Sequence, residues 1–411
     1  MPTLHKTSLY LLATSVWAVT CAVLLMAAPP GPTPSSPVSG DQLSNPSQTP
    51  YPNPTARSLP PNAVRGVNYA HIHRPGMGYG SDASKRELAH LQKLGVDWVA
   101  LTPFGYQRSV DQDRIAGFDP DQPLPTFSPV GDDRPAQDNR TPHPSHPGQD
   151  PSLTDQQLTE QIDAAHKLGV KALIKPHIWS REFWQGKAWH GSIDQKSPQD
   201  HERWRRSYLR FILHYADLAR DTNADALCIG TELVSQTTRH PEDWPTLIRE
   251  VKKVYPGKLT YAAHWDKEFQ TVNFWDQLDA IGISAYFPLD APDNASVDQL
   301  VQAWRPYKQM IRAVQARYGK PVVFLEIGYR PVTGAYRSPW LDTGGKTDPM
   351  IQARAYQALF QAYADEPWWH GLFIWKVFTD AERGDHHRNA PGFSFRNHPA
   401  ERVIQQWFRK P

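Results

Sequence analysis

The 411-residue chain contains only two cysteines, and this scarcity excludes a fold held together by a disulfide framework. One of the two, Cys21, lies in an apolar N-terminal segment that we do not expect to belong to the folded domain. Net charge is also nearly absent, because 44 basic side chains and 42 acidic ones leave a formal charge of +2. The balance argues against nucleic acid or a strongly acidic partner.

Aromatic side chains, in contrast, are plentiful. The chain has 15 tryptophans and 16 tyrosines. Large domains bury many aromatics in their cores, and most of these residues are expected there. The remainder indicate a neutral ligand such as a sugar, because an aromatic ring stacks on the apolar face of a sugar and leaves its hydroxyl groups free to hydrogen-bond.

The N-terminal region divides into an export segment and a tether. Residues 1–28 contain a nearly uncharged apolar run preceded by His5 and Lys6, which is typical of a signal peptide or a retained membrane anchor. Either form predicts an exported protein, secreted or anchored to the membrane. Residues 29–63 are dominated by Pro, Ser, Thr, Asn and Gln and predict a disordered linker. The folded domain is therefore expected at residues 64–411.

Short apolar runs alternate with amphipathic helical stretches throughout this domain. The predicted strands are residues 64–70, 98–102, 171–175, 226–229, 259–263, 280–284, 322–325 and 372–375. Eight repeated strand–helix units predict an α/β fold, a closed (β/α)₈ barrel forming a single catalytic domain. A doubly wound open sheet would commonly carry a glycine-rich phosphate turn after its first strand, and none follows residue 70.

Helix faces and helix ends support this interpretation. Apolar side chains recur at helical spacing at Trp204, Tyr208, Phe211, Ile212, Tyr215 and Leu218, and again at Leu158, Ile162, Ala165 and Leu168. Glycine closes several helices just before a strand, at Gly95, Gly169 and Gly319. One connection, residues 104–150, is unusually long and follows the second strand, so we expect a cleft wall or lid there, or else a surface insert.

Two glutamates stand at the ends of predicted strands four and seven. Glu232 and Glu326 each follow an apolar run directly, where a buried carboxylate is costly unless it is paired or hydrogen-bonded. Either one alone could form a salt bridge with a local arginine such as Arg330. Both together match glycoside hydrolysis, in which one carboxyl protonates the leaving oxygen and another attacks the sugar or activates water.

The motifs Ile229-Gly230-Thr231-Glu232-Leu233 and Glu326-Ile327-Gly328-Tyr329-Arg330 resemble glycoside hydrolase family 113 of the retaining clan A, whose characterised members act on β-1,4-mannan. The resemblance implies a polysaccharide or oligosaccharide substrate and no cofactor or metal. It also implies that Glu232 is the acid/base, Glu326 the nucleophile, and Tyr286 the tyrosine that hydrogen-bonds the nucleophile. To remain protonated near neutrality, Glu232 would need a raised pKa, which Glu326 and burial would supply.

Further substrate-binding residues are expected at strand ends. Trp375 matches the aromatic floor that a clan A member presents to the sugar. Thr231 stands where most of the clan has asparagine, which leaves the contact to the sugar 2-hydroxyl unassigned. The other candidates, all polar or stacking side chains close to strands one, three and five, are Asn68, His71, Lys175, His177, Trp179, His264 and Trp265.

Two alternatives stay open at this point. His71 and His73 resemble the first ligand pair of metal-dependent amidohydrolase barrels, with His264 as a further ligand. The set is incomplete, because no histidine follows strand six. The other alternative is a non-catalytic carbohydrate-binding barrel, since a shifted loop could abolish turnover while leaving an aromatic cleft intact.

Overall fold

The computed structural model describes residues 57–122, 124, 153–184, 186–381 and 391–409. The predicted export segment, residues 1–28, lies outside them, as does most of the predicted linker, residues 29–63. Within the described ranges, no helix is both long enough and apolar enough to cross a bilayer. Leu59, which precedes the expected domain boundary at residue 64, is buried, and its N–H donates to the Trp407 carbonyl. The packed region therefore begins before residue 64.

The strands are β1 (Val64–Ala70), β2 (Trp98–Leu101), β3 (Phe104–Gln107), β4 (Lys171–Ile174), β5 (His177–Ser180), β6 (Ala226–Thr231), β7 (Lys258–His264), β8 (Ile281–Ser284), β9 (Val322–Ile327) and β10 (Trp369–Phe378). Eight of them close into a parallel barrel in the order β1-β10-β9-β8-β7-β6-β4-β2. Each of these eight coincides with a strand expected from the sequence, so the (β/α)₈ prediction is confirmed.

A second, two-stranded sheet was not predicted. It consists of β3 and β5, which pair in parallel with Phe104 opposite His177. Both strands directly continue barrel strands, β2 into β3 and β4 into β5, after Pro103 and Pro176. A proline has no N–H to donate, so the barrel ladder breaks there and a new one begins. The expected wall or lid at residues 104–150 thus begins as a strand, while residues 125–150 lie outside the described ranges.

The helices in the described ranges are α1 (Asp82–Lys93), α2 (Asp155–Lys167), α3 (Arg181–Trp184), α4 (Pro198–Asp221), α5 (Val234–Arg239), α6 (Asp243–Val254), α7 (Glu268–Thr271), α8 (Val297–Tyr318), α9 (Pro349–Tyr363) and α10 (Pro399–Phe408). The predicted inward face of α4 is buried. The expectation for Leu168 was wrong, because this residue lies beyond the last residue of α2 and is 37% exposed. Gly319 closes α8 at φ +66°, a conformation that glycine adopts without steric cost.

Small and branched side chains fill the barrel interior. Those that point inward and pack together are Ala100, Leu173, Ala226, Cys228, Ala262, Val323, Leu325 and Phe373. A much larger apolar layer lies between the barrel and its helices and surrounds this interior cluster. The barrel is therefore a packed core, and side chains at the carboxyl ends of its strands meet above it.

Candidate active site

The two strand-end glutamates are both buried, and a local irregularity places each of them. The pairing of β6 with β7 shifts register between Cys228 and Thr231, immediately before Glu232. The pairing of β8 with β9 shifts between Ile283 and Ser284, where Ser284 comes to lie opposite Glu326. A bulge redirects side chains at the end of a strand, which is a common device beside functional sites.

Glu326 is held by three side chains from neighbouring strand ends. The Lys175 ammonium donates to Oε1 at 2.5 Å, and the Tyr286 hydroxyl donates to Oε2 at 3.0 Å. His177 Nε2 lies 3.8 Å from Oε1. The alternative in which Arg330 neutralises a glutamate is wrong, because its guanidinium donates to the carbonyl oxygens of Pro391, Thr343 and Gly344. Lys175, which we expected to bind substrate, is the cationic partner of Glu326.

Glu232 has a different environment. Its backbone adopts a positive φ of 51°, and its N–H donates to the Ala262 carbonyl at 2.8 Å. Burial, with the negative charges of Glu326 and Glu268 acting in the same direction, raises the pKa of Glu232 well above its usual range. The Ser284 hydroxyl and the Lys175 cation oppose that shift. The two glutamates are therefore differentiated, one paired with a cation and the other favoured in its protonated form.

Three buried polar atoms around these carboxyls have no hydrogen-bond partner in the described part of the chain. They are Asn68 Oδ1, His177 Nε2 and Glu232 Oε1. Buried polar atoms are rarely left unpaired in native proteins, so a cluster of them at one place indicates that a polar molecule completes the hydrogen bonding. Hydroxyl groups of a bound sugar are partners of the required kind.

Aromatic side chains form one side of the site. Trp375, Tyr286 and Phe393 pack together, and the rings of Trp265 and Trp340 stack against each other 5.2 Å apart. The Lys175 ammonium lies 5.4 Å from the centre of the Trp375 ring. Two of the three tryptophans expected at the site, Trp265 and Trp375, thus belong to one aromatic cluster, and its Trp375 ring also lies close to the lysine bound to Glu326.

The remaining predicted residues divide between this cluster and its surroundings. Asn68 Nδ2 donates to the Leu325 carbonyl at 3.0 Å and thereby fixes the residue before Glu326. His177 packs on Trp375, and Trp179 packs on Phe104 of the two-stranded sheet. His71 accepts a hydrogen bond from the Tyr79 N–H. Burial lowers the pKa of His264 to about 4, so its ring, which contacts Trp189 at 4.8 Å, is neutral at neutral pH.

His71 and His73 lie side by side, with ring centroids 4.7 Å apart, but the full set of expected metal ligands does not come together. In the described part of the chain, one group of His, Cys, Asp or Glu side chains brings its ligand atoms within 4.8 Å of one another, and it consists of His201, His240 and Asp243. His71 and His264 do not belong to it. Hydrogen bonding already accounts for that group, since His201 Nε2 lies 2.8 Å from Asp243 Oδ2. The described residues therefore give the amidohydrolase alternative no support.

Sequence reasoning missed several residues around the site. Ser284 ends β8 opposite Glu326, and Trp189 and Trp340 arrive from loops whose position no local pattern reveals. Glu268 is a third buried carboxyl, which burial raises to a pKa of about 7. In the sequence it follows Asp266 and Lys267 and is typical of a solvated helix start. Only the folded chain distinguishes it from a surface residue.

Lys175 provides a stability prediction. Because its charge is fully buried against Glu326, replacing it with methionine leaves a buried carboxylate without its cation. We expect Lys175→Met to lower the free energy of unfolding by about 3 kcal/mol in urea denaturation. Lys171→Met is the matched control, since Lys171 is exposed at the other end of the same strand, and it should change stability little. Equal urea midpoints of unfolding for the two variants would contradict the pairing of Lys175 with Glu326.

Comparisons with known proteins agree with this geometry. A family model described as Glycoside Hydrolase Family 113 matches residues 137–398. The chain is similar to a solved GH113 β-1,4-mannanase complex, with 25% identity, a TM-score of 0.65, and coverage of 84% of this chain and 99% of the other. It is also similar to the GH113 β-mannanase AaManA from Alicyclobacillus acidocaldarius in complex with ManMIm, with 25% identity, a TM-score of 0.66, and coverage of 84% and 97%. A search of curated proteins found no match.

Proposed function

The chain belongs to glycoside hydrolase family 113 and acts on O-glycosyl bonds, and from this premise we propose that it hydrolyses β-1,4-mannan with retention of anomeric configuration. The observation that carries the proposal is the pair of buried strand-end glutamates with opposite electrostatic environments. Double displacement needs this difference, because one carboxyl must attack as an anion while the other must first donate a proton.

In the proposed mechanism Glu326 is the nucleophile. Lys175 and Tyr286 donate to its two oxygens, one each, which orients the side chain for attack on the anomeric carbon. His177 Nε2 does not compete as a base, because burial, reinforced by the Lys175 cation, holds the pKa of His177 well below its usual range. A covalent glycosyl-enzyme forms as the glycosidic bond breaks.

Glu232 is the acid/base in this proposal. Its raised pKa keeps a proton available for the leaving oxygen near neutral pH, and its Oε1 has no hydrogen-bond partner among the described residues that would compete for the proton. Once the glycosyl-enzyme has formed, Glu326 carries no charge, so the carboxylate of Glu232 becomes easier to form and can take a proton from the attacking water. The same electrostatic coupling thus serves both steps.

The substrate assignment rests on the family and on the site's aromatic side. Of the two solved relatives described above, one is a β-1,4-mannanase by name and the other a β-mannanase, and the packing of Trp375 beside Tyr286 supports a stacking role for its ring. The other proposed substrate contacts are Asn68, Thr231, His177 and Trp265, with His71, Trp179 and His264 further from the carboxyls. No cofactor enters the proposed reaction.

The test is reducing-sugar release by the purified full chain on mannan, glucan, xylan and galactan. We expect mannan to be hydrolysed at least tenfold faster than the others, because a pocket built for one hydroxyl pattern loses hydrogen bonds with another. Proton NMR should show the β-anomer as the first product. An α-anomer appearing first would refute retention, and binding of mannan without hydrolysis would identify a non-catalytic barrel.

We also propose the domain layout and location expected from the sequence. A signal peptide or anchor at residues 1–28, followed by a linker from residue 29 that ends before the buried Leu59, would place the catalytic domain outside the cytoplasm, where polysaccharides occur. The apolar run in the first of these segments supports export.

A further inference from the structure

Glu268 is a buried carboxyl to which the proposed mechanism gives no part. It begins α7, directly after β7, and is almost fully buried. Its Oε1 accepts hydrogen bonds from the Thr237 and Tyr261 hydroxyls, both at 2.7 Å, and its Oε2 accepts one from the His264 N–H at 2.6 Å. Three donors from α5 and β7 converge on this carboxyl, which joins those two elements to the start of α7.

The Tyr261 hydroxyl extends this network to Glu232. While it donates to Glu268, it accepts a hydrogen bond from the Leu233 N–H at 2.7 Å. Leu233 is the residue after Glu232, whose own N–H is bound by the Ala262 carbonyl. Both peptide units that flank Glu232 are therefore fixed from β7. A non-glycine residue at positive φ persists only where its surroundings hold it, and this is the arrangement that does so.

Glu268 also acts on Glu232 through its charge. Its negative charge is one of the causes that raise the pKa of Glu232. The other groups that influence Glu232 are Glu326, which acts in the same direction, and Lys175 and the Ser284 hydroxyl, which oppose it. Around Glu268 the titratable neighbours are Tyr261 and the neutral His264. With a pKa of about 7, Glu268 becomes charged in the range where the acid form of Glu232 has to be preserved.

We propose that Glu268 is a positioning residue that holds the backbone of Glu232 through Tyr261 and, as it ionises, delays the loss of the Glu232 proton. This inference rests on the proposed function, namely on Glu232 as the acid. It predicts two separable effects. One is geometric and depends on the hydrogen bonds, whereas the other is electrostatic and depends on the charge alone.

The test compares pH profiles of kcat/KM for four variants of the full chain. Glu268→Gln keeps the side-chain shape but removes the charge. The decline of kcat/KM at high pH, which is the basic limb of the profile, should therefore move by about half a pH unit to lower pH, and this is a roughly threefold loss of kcat/KM on that limb. Glu268→Asp keeps the charge and should retain the wild-type limb even where kcat falls. Tyr261→Phe and Thr237→Val keep the Glu268 carboxyl but each removes a hydrogen bond that lowers its pKa, so they should lower kcat and move the limb less than Glu268→Gln does.

A second readout separates this inference from the proposed function. In protein labelled with ¹³C at the glutamate carboxyls, the Glu232 resonance is assigned by its loss in Glu232→Gln, and its titration is followed without turnover. The Glu232 midpoint should fall further in Glu268→Gln than in Thr237→Val, which keeps the carboxyl. An unchanged Glu232 midpoint in folded Glu268→Gln overturns the inference, whatever the activity. If the midpoint falls while Glu232→Gln retains full activity, the positioning role stands and the acid assignment fails.

Discussion

Replacing Glu326 with alanine is expected to lower kcat on mannan by on the order of 10⁴-fold or more, because no other carboxylate at the site can form the glycosyl-enzyme. Sodium azide should restore turnover of an activated aryl β-glycoside, since the small anion fits the space of the missing carboxylate. Its product should be the α-glycosyl azide, inverted relative to substrate. The measurement is steady-state kinetics together with NMR of the azide product.

The control for this variant is its fold. Removing Glu326 leaves the Lys175 ammonium buried without its carboxylate, so Glu326→Ala will also lose stability. Glu326→Gln keeps an acceptor oxygen for Lys175, and its amide N–H can donate to the Tyr286 hydroxyl, so this variant should be equally inactive while melting closer to wild type. Circular dichroism distinguishes an inactive fold from an unfolded chain. A β-configured azide, or activity above about 1% of wild type in both variants, would refute the nucleophile assignment.

Replacing Glu232 with glutamine is expected to lower kcat/KM on mannan by about 10²-fold to 10⁴-fold, the usual contribution of a general acid. The sign of the pH effect follows from the raised pKa of Glu232. The active form carries the proton, so wild-type activity is present below that pKa and is lost as pH rises through it. In Glu232→Gln the basic limb of the profile should disappear.

The leaving group provides the discriminating control for Glu232. A dinitrophenyl glycoside needs no protonation to depart, so formation of its glycosyl-enzyme should be slowed far less than that of mannan. Glu202→Gln is a matched surface variant, because Glu202 is exposed on α4 and pairs only locally with Arg205. It should behave as wild type. If Glu232→Gln keeps the basic limb, another group is the acid.

The sequence predicted the barrel strands well because their apolar runs are short and are separated by recurrent helix ends. The positions of Glu232 and Glu326 followed from the same regularity, since residues after parallel strands of a barrel share one rim. The expected hydrogen bond between Tyr286 and Glu326 is present in the structure at 3.0 Å. These features depend on local pattern and on the topology that the pattern implies.

The features that escaped prediction depend on contacts between distant parts of the chain. The role of Lys175 as the partner of Glu326 joins residues 151 positions apart, and nothing near Lys175 in the sequence indicates it. Glu268 follows two charged residues, so its burial depends entirely on Thr237, Tyr261 and the His264 backbone. The sheet of β3 and β5 was hidden by proline-containing segments that are typical of loops.

The left-handed backbone conformation of Glu232 lowers the stability of the fold at the residue that is proposed as the acid/base. A side chain other than glycine costs roughly 1 kcal/mol or more in that conformation, and a buried carboxyl adds to the cost. Glycine or asparagine at this position would relieve the backbone strain and would also remove the proposed acid/base carboxyl, so such a variant should be inactive. Random mutation at this position therefore tends to produce variants that are more stable but inactive, and selection for catalytic activity must keep removing them.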